Sequence, residues 1–182
     1  MNERIYSQKI TKLRSSERIK LIEVNKVTEI SLDNINLNNV LDVGTGSGLF
    51  AEAFALNGLK IYGIDINHEM IEAVKVYVPE GEFLLAPAES IPYPDQFFDL
   101  VFLGHILHEA DNNLKVIQEA KRVAKHRIVI LEWPYITEEI GPPIEHRLSL
   151  ERISELIQKA GLKNIETFQL RHMVLIRIDI KN

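Results

Sequence analysis

The stretch "VLDVGTGSGLF", residues 40–50, decides the fold. Apolar, strand-forming residues run into three glycines spaced two apart, Gly44, Gly46 and Gly48, and a helical pattern, "LFAEAFALNG", begins at once. A strand that passes through a bare loop into a helix opens a strand–helix–strand unit. Glycines at that point let the chain turn and let a ligand approach the backbone. A tight strand-to-helix turn without a ligand would need them too. The spacing is G-x-G-x-G, one residue shorter than the dinucleotide fingerprint G-x-G-x-x-G. Asp42 stands just before the loop, and a carboxylate there suits an ammonium-bearing ligand better than a pyrophosphate. Asp65 ends the next strand, 21 residues beyond Gly44. An acid in that place accepts both hydroxyls of a ribose, or else caps the helix that follows.

Working outward, strands and helices alternate. "KIYGID" (60–65), "EFLLA" (82–86), "FDLVFLG" (98–104) and "RIVILEW" (127–133) read as further strands. The middle ones are near-continuous apolar runs, as strands buried on both faces should be. Helices are expected over 68–78 with Asn67 as cap, over 111–124, and from Ser149 to a stop at Gly161. One further helix is expected over 16–30, with Glu23 and Lys26 interrupting its apolar face. Two strands, 163–170 and 173–180, share a turn too short for a parallel crossover and must be antiparallel neighbours. The expected fold is α/β: a doubly wound, mostly parallel seven-stranded sheet with an antiparallel C-terminal strand. Residues 1–182 read as one domain, a helical cap over 1–36 and a sheet core over 37–182. Ligands of such sheets bind at the carboxyl ends of the strands, where the glycine loop lies.

Composition narrows the class. Hydrophobic residues make up 46% and charged residues 26%, ordinary for a globular protein. A net charge of −5 makes the chain a poor general binder of nucleic acid or anionic membranes. No apolar run approaches the ~20 residues that span a bilayer, and the first residues lack a signal-peptide core, so a cytoplasmic protein is expected. With no cysteine, disulfides, thiolate metal sites and a cysteine nucleophile are excluded.

With these residues in hand, the chain resembles the class I S-adenosylmethionine-dependent methyltransferases. "VLDVGTGSG" matches the first motif of that family, "YGIDIN" the acidic end of its second strand, and "AESIPYPDQFFDLVFLGHILHE" the segment leading into its fourth. The resemblance runs over about 38–180 and is greatest to the small-molecule group that includes quinone-biosynthesis and arsenite methyltransferases. It implies S-adenosylmethionine as cofactor, with Asp42 near the methionine ammonium and Gly44, Thr45, Gly46 and Gly48 lining the methionine and ribose. Asp65 would hold the ribose hydroxyls and Ile66 would pack on adenine. Pro87 replaces the acid that often reads the adenine amino group, which leaves that task to Ala88 and Glu89.

The acceptor side rests on "GHILHE". His105, His108 and Glu109 follow the fourth strand, and a histidine there can orient an acceptor or take a proton. His105 and His108 are the expected catalytic residues; packing or helix capping is the plainer alternative for each. No second ligand cluster supports a metal site. Glu132 and Trp133 end the fifth strand facing the same cleft. The loop over 134–147 and the N-terminal helix are expected to close over the cofactor, and Arg147 could reach an anionic acceptor. The expected function is methyl transfer to a small-molecule acceptor, without nucleic acid or membrane insertion; a homo-oligomer stays open. The alternatives are a non-catalytic, cofactor-binding partner subunit and a nicotinamide-dependent oxidoreductase.

Overall fold

The computed structural model describes residues 10–180. Three short helices come first: α1 (Ile10–Leu13), α2 (Ser16–Leu21) and α3 (Val24–Leu32). The alternating part follows: β1 (Asn39–Val43), α4 (Leu49–Leu56), β2 (Lys60–Asp65), α5 (His68–Tyr77), β3 (Glu82–Leu85), β4 (Phe98–Gly104), α6 (Asn113–Val123) and β5 (Ala124–Glu132). After a 3-10 turn at Ile144–His146, the chain ends in α7 (Leu150–Lys159), β6 (Ile165–Gln169) and β7 (Val174–Asp179).

The seven strands form one sheet in the order β3-β2-β1-β4-β5-β7-β6. β1 to β5 pair in parallel; β7 runs antiparallel to both β5 and β6. The doubly wound α/β sheet with an antiparallel C-terminal strand is therefore observed. One detail was not foreseen. β7 inserts between β5 and β6, so the earlier strand of the pair becomes the sheet edge. The composition agrees with that order: β7 is buried almost throughout while β6 is mostly exposed or half-exposed.

Alternation along the strands distributes the side chains between two apolar layers. Leu41, Val43, Val101 and Leu103 point to the layer closed by α6 and α7. Val40, Leu100 and Phe102 point to the layer closed by α3, α4 and α5. Phe102 meets Phe50 and Phe54 of α4 at ring distances of 4.6 and 5.3 Å. Such aromatic pairs contribute about 0.5–1.5 kcal/mol beyond their buried area. The order reverses between β1 and β4, and this opens a crevice at their carboxyl ends.

The single helix expected over 16–30 is instead two, broken at Glu23, whose φ is +49°. The break turns Glu23 toward the β6–β7 turn, where Oε2 accepts the Arg171 N–H at 2.7 Å. The end of α3 is then fastened to the sheet. Arg127 of β5, 2% exposed, donates to the carbonyls of Ser31 and Asp33, and Arg177 of β7 to that of Ile30. Two cations thus satisfy carbonyls that a helix end leaves open, and they complement its negative dipole end. The caps expected at Asn67 and Ser149 are present.

Candidate active site

The glycine loop is folded back on β2. The N–H groups of Gly44 and Thr45 both donate to the Ile64 carbonyl, at 2.8 and 3.0 Å. Gly46 N–H donates to Asp65 Oδ2 at 2.8 Å, and Asn67 N–H to Asp65 Oδ1 at 2.8 Å. Thr45 Oγ1 donates to Asp42 Oδ2 at 2.8 Å. Gly46 has a φ of +52°, a region that side chains with a Cβ rarely adopt, although a Cβ there would meet only the Gly44 carbonyl oxygen, at 3.9 Å.

Two carboxyls face each other across this loop. Burial pushes Asp42 up to about 7; the Thr45 hydroxyl opposes that, and the charge of Asp65 adds to it. Burial also raises Asp65, against the pull of the Asn67, Gly46 and Ile66 N–H groups. A cation placed beside Asp42 would restore its charged form.

A cavity of about 1220 Å³ begins at this loop and runs to the ends of β4 and β5. That exceeds the roughly 300–1,000 Å³ of a usual ligand pocket, and leaves room for a nucleoside-sized ligand and a second molecule. Asp42, Gly44, Thr45, Gly46, Asp65, Ile66, Ala88 and Glu89 line it, as do His105 and His108. Ile66 is 51% exposed, an apolar face at the rim. Gly48 does not line the cavity. It caps α4 with φ +77°, and a Cβ there would stand 2.3 Å from Val74 Cγ2 of α5. Its bareness serves helix packing.

Ser15, Arg18 and Ile22 of the N-terminal helices form one wall, and Gly141, Pro142, Pro143 and His146 of the 134–147 loop another. Arg14 ties the first wall to the glycine loop: it donates to the Ser47 carbonyl at 2.8 Å, pairs with Glu52 and lies 3.6 Å over the Tyr77 ring.

At the far end stand the histidines. His105 has φ +60°, and its N–H donates to the Leu131 carbonyl at 2.8 Å. Both of its ring nitrogens are buried without a hydrogen-bond partner, and the ring lies 5.6 Å from that of Trp133. Burial first, then Arg18 and His108, hold His105 well below 6.5, so it is neutral. Strained backbone and orphaned polar atoms of this kind gather at functional sites. His108 differs. Its Nδ1 lies 2.7 Å from Glu132 Oε2, while Glu132 Oε1 accepts the Leu107 N–H at 2.9 Å. Burial disfavours the charged imidazole, but Glu132 and then Glu109 outweigh it, and the pKa is raised.

Arg147 is a correction. It is 5% exposed and cannot reach out to an acceptor. Its guanidinium donates to the carbonyls of Pro134, Ile136, Ile140 and Pro142 and lies 5.4 Å over the Trp133 ring. It fastens the loop. Gly141, φ +86°, lets that loop lie against Trp133, where a Cβ would come within 2.6 Å of the indole. Glu132, expected to face the cleft, does not line the cavity; it is buried behind His108 and holds it, a role the sequence alone does not suggest. The sequence shows only an acid closing the apolar run "RIVILEW", beside a strand that ends in histidines.

The residues fit the cofactor that the resemblance implies. A buried carboxylate stands ready for a cation, Asp65 keeps lone pairs beyond the N–H groups it accepts, and bare backbone adjoins both. The comparisons agree. Residues 41–130 match the methyltransferase domain family. An uncharacterized protein of Methanocaldococcus jannaschii is 29% identical over 153 residues, covering 76% of this chain and 71% of its own length. The demethylmenaquinone methyltransferase of Thermotoga maritima is 32% identical over 111 residues, covering 59% and 48%. A SAM-dependent methyltransferase from Aquifex aeolicus, a crystal structure, has a TM-score of 0.80 at 26% identity and covers 94% of this chain and 97% of its own. The chain spans about half the length of the curated relatives of named activity that it matches.

Proposed function

The chain belongs to the class I S-adenosylmethionine-dependent methyltransferases, and from that premise we propose that it moves the cofactor's methyl group to a small molecule held at the ends of β4 and β5. The observation that carries this reading is the continuity of one cavity from Asp42 and the glycine loop to His105, His108 and Trp133. Bound S-adenosylmethionine supplies a methyl group already activated on a sulfonium. What the chain must add is alignment and exclusion of water, and positioning alone contributes about 7–11 kcal/mol in well-oriented reactions.

Asp42 faces the methionine ammonium, and Gly44, Thr45 and Gly46 let that part of the ligand lie on the backbone. Asp65 accepts the ribose hydroxyls with the lone pairs its N–H partners leave. Ile66 covers one adenine face, and Ala88 and Glu89 read its edge. The N-terminal helices within 1–36 and the 134–147 loop act as covers over a sheet core that starts at 37. Trp133 and the neutral His105 bound the acceptor. Relatives named for demethylmenaquinone and for malonyl-acyl carrier protein support an acceptor outside the nucleic acids, as does the net charge of −5. Among the described residues no helix is long and apolar enough to cross a membrane.

Calorimetric titration of the purified protein tests the reading. S-adenosylmethionine and S-adenosylhomocysteine are expected to bind and NAD to give no heat. Tighter binding of NAD would sink it.

A further inference from the structure

We propose that His108, held by Glu132, removes a proton from the acceptor as the methyl group arrives, and that the acceptor atom is therefore a hydroxyl oxygen. This rests on the functional reading above. Glu132 is a positioning residue here, acting through His108.

The geometry fixes which ring nitrogen works. An ionised carboxylate only accepts hydrogen bonds, so Glu132 Oε2, 2.7 Å away, keeps the proton on Nδ1. In the neutral ring Nε2 then carries the lone pair. Its nearest carboxylate, Glu109 Oε1, is 3.8 Å away, beyond hydrogen-bond reach. His108 lines the cavity, so this lone pair belongs to the acceptor end. Glu132 is only 3% exposed and sits in an apolar strand. A buried acid is costly unless it is used, and both of its oxygens are committed to the segment that carries His108.

Such a base matters only for some acceptors. A thiol near pH 8.5 supplies its own anion. A neutral amine attacks through its lone pair and sheds a proton afterward. A carbon acceptor loses its C–H proton only after the new bond has formed. A hydroxyl gains most, because the O–H bond must break as the new bond forms; general-base help is about 10²–10⁴-fold. In the step, the hydroxyl oxygen bonds to the methyl carbon and its proton passes to Nε2. The C–S electron pair stays on sulfur, which becomes neutral, and the positive charge moves to the imidazolium. That ring later returns the proton to solvent. The products are a methyl ether, S-adenosylhomocysteine and one proton.

Four charged or titratable groups face His108: Glu132 from β5, Glu109 from its own segment, Arg147 from the loop and His105 across the cleft. The two carboxylates raise its pKa and Arg147 lowers it. A base works when neutral, so methylation should rise with pH through the His108 midpoint. Glu132→Gln should move that rise to lower pH.

The test uses histidine-labelled protein saturated with S-adenosylhomocysteine, followed by NMR, and then phenol and thiophenol as methyl acceptors with S-adenosylmethionine. His108 is expected as the Nδ1-protonated tautomer, with a midpoint that falls by about one pH unit or more in Glu132→Gln. Phenol is expected to shift the Nε2 signal and to yield methyl phenyl ether. Its rate should drop at least a hundredfold in His108→Ala, while S-adenosylmethionine binds within about twofold of its original affinity. The opposite tautomer, a midpoint unmoved by Glu132→Gln, or thiophenol methylated in place of phenol would overturn the proposal. Absence of S-adenosylmethionine binding to the unaltered protein would instead overturn the functional reading beneath it.

Discussion

The two ends of the cavity each centre on carboxylates at strand tips, yet they are built in opposite ways. At the glycine loop, Asp42 accepts the Thr45 hydroxyl three residues on, and Asp65 accepts only backbone N–H groups, those of Asn67 two residues on and of Gly46 19 residues back. At the histidine end, Glu132 holds a segment 24 and 25 residues away in sequence. There a buried Arg147 gathers four loop carbonyls. Backbone turns specify the first end and side chains specify the second. Backbone geometry tolerates few residue types, so the glycine-loop end shows as a motif. Side-chain staples admit many solutions, so the histidine end shows none.

The largest expected effect breaks the second end. Arg147→Met removes a buried cation and strands the carbonyls it served. Each hydrogen bond to a charged donor contributes about 1.5–3 kcal/mol, and this substitution removes the donor of four at once. Urea unfolding should show that loss, and limited proteolysis should cut within 134–147. Unchanged stability and an uncut loop would mean that Pro142, Pro143 and the Trp133 contact hold the loop without the arginine.

A smaller effect sharpens the first end. Asp65→Ala should weaken S-adenosylmethionine binding by about 1.5–3 kcal/mol, the range for hydrogen bonds to a charged group, read by calorimetry. Stability should fall as well, by about 0.5–1.5 kcal/mol, because the half-buried Gly46 N–H loses its acceptor. A strand-end acid would not otherwise be expected to matter for folding. If stability falls while affinity holds, Asp65 is only a clasp for the loop.

This division explains what could be read from the chain alone. Alternating strands and helices, the short turn before the last strand and the G-x-G-x-G loop are local patterns, and they yielded the sheet and the glycine-loop end of the cavity. The insertion of β7 between β5 and β6 is a choice among edges that no local pattern encodes. Gly48 looked like its two neighbours in sequence, but only the approach of Val74 shows that its bareness serves packing. Arg147 reads in sequence as a cation free to reach an anionic acceptor because its partners are carbonyls, which every residue has. The break at Glu23 depends on the Arg171 N–H, 148 positions away.

The smallest effect compares the two ends through pH. Burial holds Asp42 near 7 in the free protein, above its ordinary value of 3.8. A ligand ammonium beside Asp42 favours the ionised form, so binding releases a proton that the free protein holds below pH 7. Affinity should therefore rise with pH, and about fivefold between pH 6 and 7, as the ionised fraction grows from roughly one-eleventh to one-half. The window stops there because the ligand's own amino group titrates from about 7.7. His108, whose pKa Glu132 raises, is the other group that takes up a proton in the cavity, but it stands at the far end. Asp42→Asn keeps an oxygen for Thr45 and has no charge to regain, so its profile should be flat. A slope that persists in Asp42→Asn would place the linked proton at the histidine end, and the two ends would then be electrostatically coupled.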